Sequence, residues 1–525
     1  MKGLGLFVFL VWAATAARPP FSPDDLREWR TASDPRIRAD GHWVVYVETS
    51  AGRSNLWLAS TDGKERRRQT DGAWRDSSPR WSPDGERIAW ISNRGGQPHI
   101  RVRKWDAAGG AEAEIAGAPL AFAWSAEGEA IAFTAAVAPD NAAFAWAPPA
   151  LLERFEKPLS VSQIFVAASG GGAAKQISHT KTGCVGEPSW TLDGKSLIAV
   201  CDGAILSLRV ADGASKALTS DEGSYESPIT SPDGGRIAYL FTEKKQQSYT
   251  VRKLWVMNAD GSRARVLSGV LDRDATAPQW SSESRTVYFL ADDRGATHIY
   301  AARNDGTVRQ VTNKQERLRS LSLADNGRAA SIRSSATEGG DVVTFTVDVA
   351  TQPVTLAAPN EHLLAEREIG AVEEIGYESA GHKIQAWLVK PPGFEGSRKY
   401  PLLVDVADDP RRMYGVEFSI RAQIMAARGM IVLRANPRGA PGYGEEFGHL
   451  LRTRYPGDDF DDLMRGLDAS IAKGNIDPGR VSIAGGLISA WAIGHTPRFF
   501  RAVARRPIMD WAIDLARAAP AMGAL

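Results

Sequence analysis

The chain has 525 residues, 43% hydrophobic and 24% charged, a composition that excludes a disordered, collagen-like or coiled-coil protein. Its 63 Lys and Arg balance 62 Asp and Glu, and a net charge of +1 offers no basic field for nucleic acid or an anionic membrane. At about 150 residues per domain the length suits two to four domains, and 16 Trp with 50 Gly point to many strands and tight turns.

The first element is a signal peptide over residues 1–16. Lys2 supplies the positive start, Leu4 to Trp12 an apolar run, and Ala14-Thr15-Ala16 the small residues of a cleavage site. The run is far shorter than the ~20 residues that span a bilayer. The expectation is therefore an exported protein, periplasmic or secreted, with no membrane span. Cys184 and Cys201 flank the turn Asp193-Gly194 at similar distances. Export permits a disulfide between them, but register decides, and two buried thiols stay equally open. Two cysteines without a second pair do not make a zinc site, and no metal is expected.

An internal repeat fills the next two thirds. Its clearest copy is Trp81-Ser82-Pro83-Asp84-Gly85 before Ile88-Ala89-Trp90. Others centre on Asp40-Gly41, Glu127-Gly128, Asp193-Gly194 and Asp233-Gly234, with degraded copies at Glu283-Ser284 and Asn326-Gly327. Asp-Gly supplies the positive φ that a tight hairpin needs. The copies recur roughly every 40 to 50 residues, the length of a four-stranded propeller blade, apart from one longer interval. Seven copies predict a seven-bladed β-propeller over 24–360, its Trp residues mostly packed between blades. The longer interval holds Pro139 to Ser160, an Ala- and Pro-rich insertion in the third blade in which Leu151 to Phe155 suits a helical turn or two.

From about Ile375 the period changes. Strands are predicted at Ile384 to Val389, Leu402 to Val406, Met430 to Leu433, Val481 to Ile483 and Phe500 to Ala504. Helices are predicted at Phe418 to Arg428, from Asp458-Asp459 with the stripe Phe460, Leu463, Leu467 and Ile471, and near Trp511 to Ala518. Alternating strands and helices argue a mostly parallel sheet with helices on its faces.

Several phrases in fixed order carry a resemblance. They are Ile384 to Phe394 (IQAWLVKPPGF), Tyr400-Pro401-Leu402-Leu403-Val404, Asn436-Pro437-Arg438-Gly439 with Gly442-Tyr443-Gly444, Asp461-Asp462-Leu463-Met464, Ile476 to Val481 and Trp491 to Thr496. Together with the repeat they resemble the prolyl oligopeptidase family of serine peptidases, in its acylaminoacyl- and dipeptidyl-peptidase-like branch. The resemblance implies an α/β-hydrolase domain over 366–525, a Ser-Asp-His triad, short peptides as substrates and no cofactor.

Against that pattern this chain departs at each catalytic part. The nucleophile of this fold sits in Gly-x-Ser-x-Gly on a sharp strand-to-helix turn. Here the strand runs into Ala484-Gly485-Gly486-Leu487-Ile488-Ser489-Ala490-Trp491, so Leu487 occupies the nucleophile position. The link to Trp491 is several residues shorter than the family pattern, and Ser489 is the weak fallback. The branch's His-Gly-Gly-Pro oxyanion motif is replaced by Ala407-Asp408-Asp409-Pro410. Two carboxylates near 4 Å repel by about 4 kcal/mol at an effective dielectric of 20, which suits an open, watered loop. No downstream acid or base is found, and His495 belongs to a structural phrase. The other histidines show no metal-ligand spacing. The expectation is an exported, truncated and catalytically inactive member. One alternative is a propeller scaffold that binds short peptides or a protein partner at its channel. Another is an active peptidase whose missing parts were lost to a sequence error. Homo-oligomerisation is compatible with each.

Overall fold

The computed structural model describes residues 18–505, apart from 107–109, 138–160, 221, 246, 350–351, 410 and 452–453. The expected signal peptide, the expected insertion at Pro139 to Ser160, the run near Trp511 to Ala518 and Pro410 lie outside the described residues.

The repeats fold as four-stranded antiparallel meanders. Five are separate sheets. The last two lie in one eight-stranded sheet, joined by the single parallel pairing Thr297↔Arg317. The repeated turn explains the local geometry. In Ser82-Pro83-Asp84-Gly85, the Gly85 N–H donates to the Ser82 carbonyl at 2.9 Å and Gly85 takes φ 71°. The Arg87 N–H donates to Ser82 Oγ (2.9 Å) and the Glu86 N–H to Asp84 Oδ1 (3.0 Å). The short polar side chains therefore close the turn within five residues.

The strand before each turn is bulged. The register skips between Ser77 and Arg80, Glu226 and Ile229, and Thr276 and Gln279, where Ser78, Ser227 and Ala277 take positive φ. Pro79, Pro228 and Pro278 follow at once. Proline has no N–H to lose there, which is why a bulge tolerates it.

Tryptophans stitch neighbouring repeats together. Nε1 of Trp81, Trp124, Trp190 and Trp280 donates to the carbonyls of Arg36, Arg80, Ala123 and Ile229, each in the preceding repeat, at 2.8–3.3 Å. First and last repeats also meet. The Asp325 N–H donates to the Ala39 carbonyl (2.9 Å) and the Ile37 N–H to Ser322 Oγ (3.1 Å). Ala32, Val44 and Tyr46 of the first repeat share one buried cluster with Ala330, Ile332 and Val342 of the last.

Cys184 and Cys201 stand directly opposite each other on paired antiparallel strands and are bonded. Register, left open by the sequence, decides for the disulfide. It closes a loop of 17 residues, for which loss of chain entropy in the unfolded state gives about 3 kcal/mol. Denaturant midpoints with and without reductant should differ accordingly, and equal midpoints would contradict it.

The C-terminal part is a six-stranded sheet. Its order is Val372–Ser379, His382–Val389, Ile431–Asn436, Tyr400–Asp405, Ile476–Gly485, Arg501–Ala504, with the last four strands parallel. Helix Asp458–Ala472 buries Phe460, Leu463 and Leu467 against Leu402, Val404, Leu433 and Ile483. The chain's beginning packs here too. Pro20 bridges to Glu368, Asp25 pairs with Arg367 at 2.9 Å, and Trp29 stacks on Phe418. The stretch 20–29 thus contacts Arg367, Glu368 and Phe418.

Candidate functional site

In a doubly wound sheet, reactive groups gather where parallel strands end in loops. Here those ends are Asp405, Asn436 and Gly485. The strand Ile476–Gly485 passes through Gly486 (φ −79°, ψ −131°) directly into helix Leu487–His495. No non-glycine residue between 485 and 495 takes positive φ, whereas a nucleophile elbow holds its residue at a strained apex. Leu487, half-buried, is simply the first helical residue.

The loop after Tyr400–Asp405 lies on top of this turn. A Cβ on Gly486 would sit 3.1 Å from the Asp408 carbonyl oxygen and 3.2 Å from its Cα. On Gly485 it would collide with the Val406 backbone. The two glycines therefore permit a backbone crossing, and the crossing chain occupies the ground above the turn.

Ser489 is fully buried (0% exposed), and its hydroxyl has no hydrogen-bond partner. It faces the interior of the domain, out of reach of any substrate. Asp408, half exposed, lies 3.5 Å from Arg505 Nε, while Asp409 accepts from the Arg411 N–H at 2.9 Å. The pair thus has an arginine and a loop N–H as partners. Ala407 lines a small cleft with Arg412, Pro437, Arg438, Asp459 and Ile488. His495 stacks on Trp491 with ring centroids 3.7 Å apart and bonds that residue's carbonyl through Nδ1 at 2.8 Å. The fold brings Gly486, Leu487 and Asp408 together, and it leaves Ser489 beneath them.

The phrases that carried the resemblance are loop braces. Arg438 donates to Asp462 from its backbone N–H, Nε and Nη2 at 2.8–3.1 Å. The Tyr414 N–H donates to Asn436 Oδ1, and Asn436 Nδ2 donates to the Tyr414 carbonyl and the Tyr443 hydroxyl. These clamps hold the loops around the strand ends.

Sequence reasoning missed a buried charge chain at the same place. Asp292 and Arg317, both on the repeat side, pair at 3.1 Å. Arg317 also pairs with Glu417 at 3.1 Å, and Glu417 with Arg434 at 3.4 Å. Arg434 and Arg505 both approach Asp405, at 3.7 and 3.3 Å. No local signal could have shown it, because its members come from separate elements on both sides of the interface.

Asp459 stands in the first turn of its helix, where a carboxylate suits the positive end and usually meets water. It is instead 1% exposed, and burial pushes its carboxyl up to about 6, against the pull of the Gly457 and Phe460 N–H groups. A raised carboxyl stabilises below the unfolded value of 3.8 and loses that contribution as pH climbs through about 6. Asp459→Asn should therefore raise stability at pH 7.5 by roughly 1–3 kcal/mol and leave it unchanged near pH 3.5. Denaturant midpoints at the two pH values check this.

With this geometry in place, the comparisons decide the kinship. Residues 416–519 match the model of the prolyl oligopeptidase family. The chain is related to the prolyl oligopeptidase family. It is 28% identical to the uncharacterized peptidase YuxL of Bacillus subtilis, covering 93% of this chain and 82% of that one. It is 24% identical to dipeptidyl-peptidase 5 of Porphyromonas gingivalis, covering 93% and 79%. Among solved structures, acylaminoacyl peptidase of Pyrococcus horikoshii superposes with a TM-score of 0.78 at 20% identity, over 95% of this chain and 80% of that one. A puromycin-hydrolyzing peptidase of Mycobacterium tuberculosis superposes with a TM-score of 0.71 at 16% identity. The fold is thus the family's, strand repeats followed by an α/β-hydrolase sheet. The phrases that carry the resemblance form the Arg438–Asp462 and Asn436–Tyr414 clamps.

Proposed function

We propose that this chain handles short peptides without hydrolysing them. In this reading residues 1–16 direct export, 24–360 form a seven-bladed propeller and 366–525 carry a hydrolase domain with a silent catalytic site. Peptidase relatives support peptides as ligands. Closure of the first repeat on the last supports the ring.

The observation that carries silence is Leu487 at the head of its helix, beneath the Asp408 backbone. An acyl-transfer site needs a nucleophile and N–H donors aimed at the developing oxyanion. This turn presents an isobutyl group and a carboxylate-bearing loop.

The ring's central opening favours a binding role. It is a cleft of about 480 Å³ lined by Trp124, Glu187, Trp190, Thr230, Gln279 and Ser320. Arg80 reaches Glu187 at 2.7 Å and Asp34 at 3.1 Å, tying three repeats together at its rim.

A fluorophosphonate probe, applied to the purified chain beside an active relative, tests silence. No labelling of this chain is expected. Stoichiometric labelling that Ser489→Ala abolishes would overturn the reading and assign the nucleophile to Ser489.

A further inference from the structure

Where the last repeat meets the hydrolase part, arginines outnumber the carboxylates that could pair with them. Strand Arg317–Leu323 opens that repeat, and Arg317, Leu318 and Arg319 pair in unbroken register with Ser334, Arg333 and Ile332. Alternation puts Arg317 and Arg319 on one side of the strand and the buried Leu318 on the other. Arg317 donates to the Met413 carbonyl at 2.9 Å and pairs with Glu417 at 3.1 Å. The stretch 412–417 therefore lies across the side that Arg319 shares, and it brings Arg412 from the hydrolase part.

The other repeats show what the position of Arg319 ordinarily holds. The last paired residue before the register skips is Ser33, Ser77, Val185, Glu226 or Thr276 in five of them, and Arg319 in the last. The one charge among those five, Glu226, is met by Arg252 at 2.9 Å. The bulged strand itself asks for no cation, since serine, valine and threonine serve it equally well.

Arg319 and Arg412 lack such a counter-charge. The neighbouring carboxylates are committed elsewhere: Asp292 to Arg317, Glu417 to Arg317 and Arg434, Asp405 to Arg434 and Arg505, and Asp408 to Arg505. Asp409 takes the Arg411 N–H. Arg412 rests its guanidinium 5.8 Å from the centre of the Tyr414 ring. Among the described residues neither Arg319 nor Arg412 forms an ion pair, and both are open to water. Arg319 is nonetheless walled by the surrounding elements. This partial burial, with the charges of Arg317 and Arg412, holds its guanidinium below the ordinary value, against the pull of Glu417 and Asp292. Like charges thus approach from both parts of the molecule, in a recess that screens them less than open water does.

We propose that Arg319 and Arg412 together bind the carboxylate of a short peptide ligand, one guanidinium from each part of the molecule. A guanidinium presents a fork of N–H donors that matches the two oxygens of a carboxylate, and charge-assisted bonds of this kind are the strong ones. One carboxylate gives both arginines the counter-charge they lack. It comes from the peptide's own C-terminus or from an Asp or Glu side chain. The inference rests on the peptide-binding reading above and narrows it to peptides that carry a free carboxylate.

Calorimetric titration of the full chain tests it with N-acetyl-alanyl-alanine, with N-acetyl-alanyl-aspartyl-alaninamide, and with N-acetyl-alanyl-alaninamide as the uncharged reference. At least one of the two carboxylate peptides should bind roughly tenfold tighter than the reference, as a bond to a charged group allows. Preference for the first assigns the chain terminus, and preference for the second the side chain. Arg319→Thr, matching Thr276, and Arg412→Gln should each abolish that advantage while leaving affinity for the reference and the denaturant midpoint unchanged. Equal affinity for all three peptides would overturn this inference and leave peptide binding standing. No binding of any of them would overturn both. An advantage that survives in both variants would place the carboxylate on other residues and overturn the inference as well.

Discussion

Leu487→Ser should leave hydrolysis of acyl-alanyl and Xaa-Pro chromogenic peptides at the background rate. A hydroxyl at 487 would start a helix, at ordinary backbone angles, where an elbow would hold it exposed at a strained apex. The Asp408 backbone lies against the preceding glycine, so a substrate carbonyl has no approach from that side. His495, which follows the turn, is engaged with Trp491. Triad members act as a unit, and loss of the nucleophile or base alone costs roughly 10⁶-fold in kcat. The residual catalysis that survives such losses rests on the oxyanion hole and on substrate binding. Turnover of Leu487→Ser well above buffer, blocked by a fluorophosphonate, would show that the turn can still assemble a site.

The second large effect concerns Glu417. It is 7% exposed and lies between Arg317 of the repeats and Arg434 of the hydrolase sheet. Burial alone would raise its carboxyl, but Arg317, Arg434 and Arg319 together hold it below its ordinary value of 4.5. Glu417→Ala takes one carboxylate from two buried guanidinium groups, leaving Arg317 with Asp292 and Arg434 with Asp405, and should cost about 3 kcal/mol, the low end for breaking a buried pair. The loss should fall on the interface between the two parts. Limited proteolysis should then release a repeat fragment that the unmodified chain does not yield. The pH sign follows from the depressed carboxyl. Its contribution is present above about 4.5 and is lost as pH falls through the lower folded value. The unmodified chain should therefore loosen in acid, and Glu417→Ala should lose that part of the acid transition. An unchanged denaturation profile for Glu417→Ala would remove the network from the stability of the interface.

What local chemistry can write, the sequence carried. Ser-Pro-Asp-Gly closes its turn with bonds spanning five residues or fewer, so each copy was legible without its neighbours. The helix Asp458–Ala472 was legible from the stripe Phe460, Leu463 and Leu467, whose period is set by helix geometry.

Tertiary structure decided the rest, where the partners are distant in sequence or where register matters. Cys184 meets Cys201 because of strand register, which a one-residue slip would have changed. Ser489, a candidate by identity, was removed by burial alone. Asp459 became a high-pH liability because its helix lies against the sheet. Glu417 and Arg434 look like ordinary surface charges in the sequence. Only the meeting of the two parts shows them buried and paired. Charges of this kind are placed by the packing of whole sheets, and packing leaves no local mark on the residues it buries.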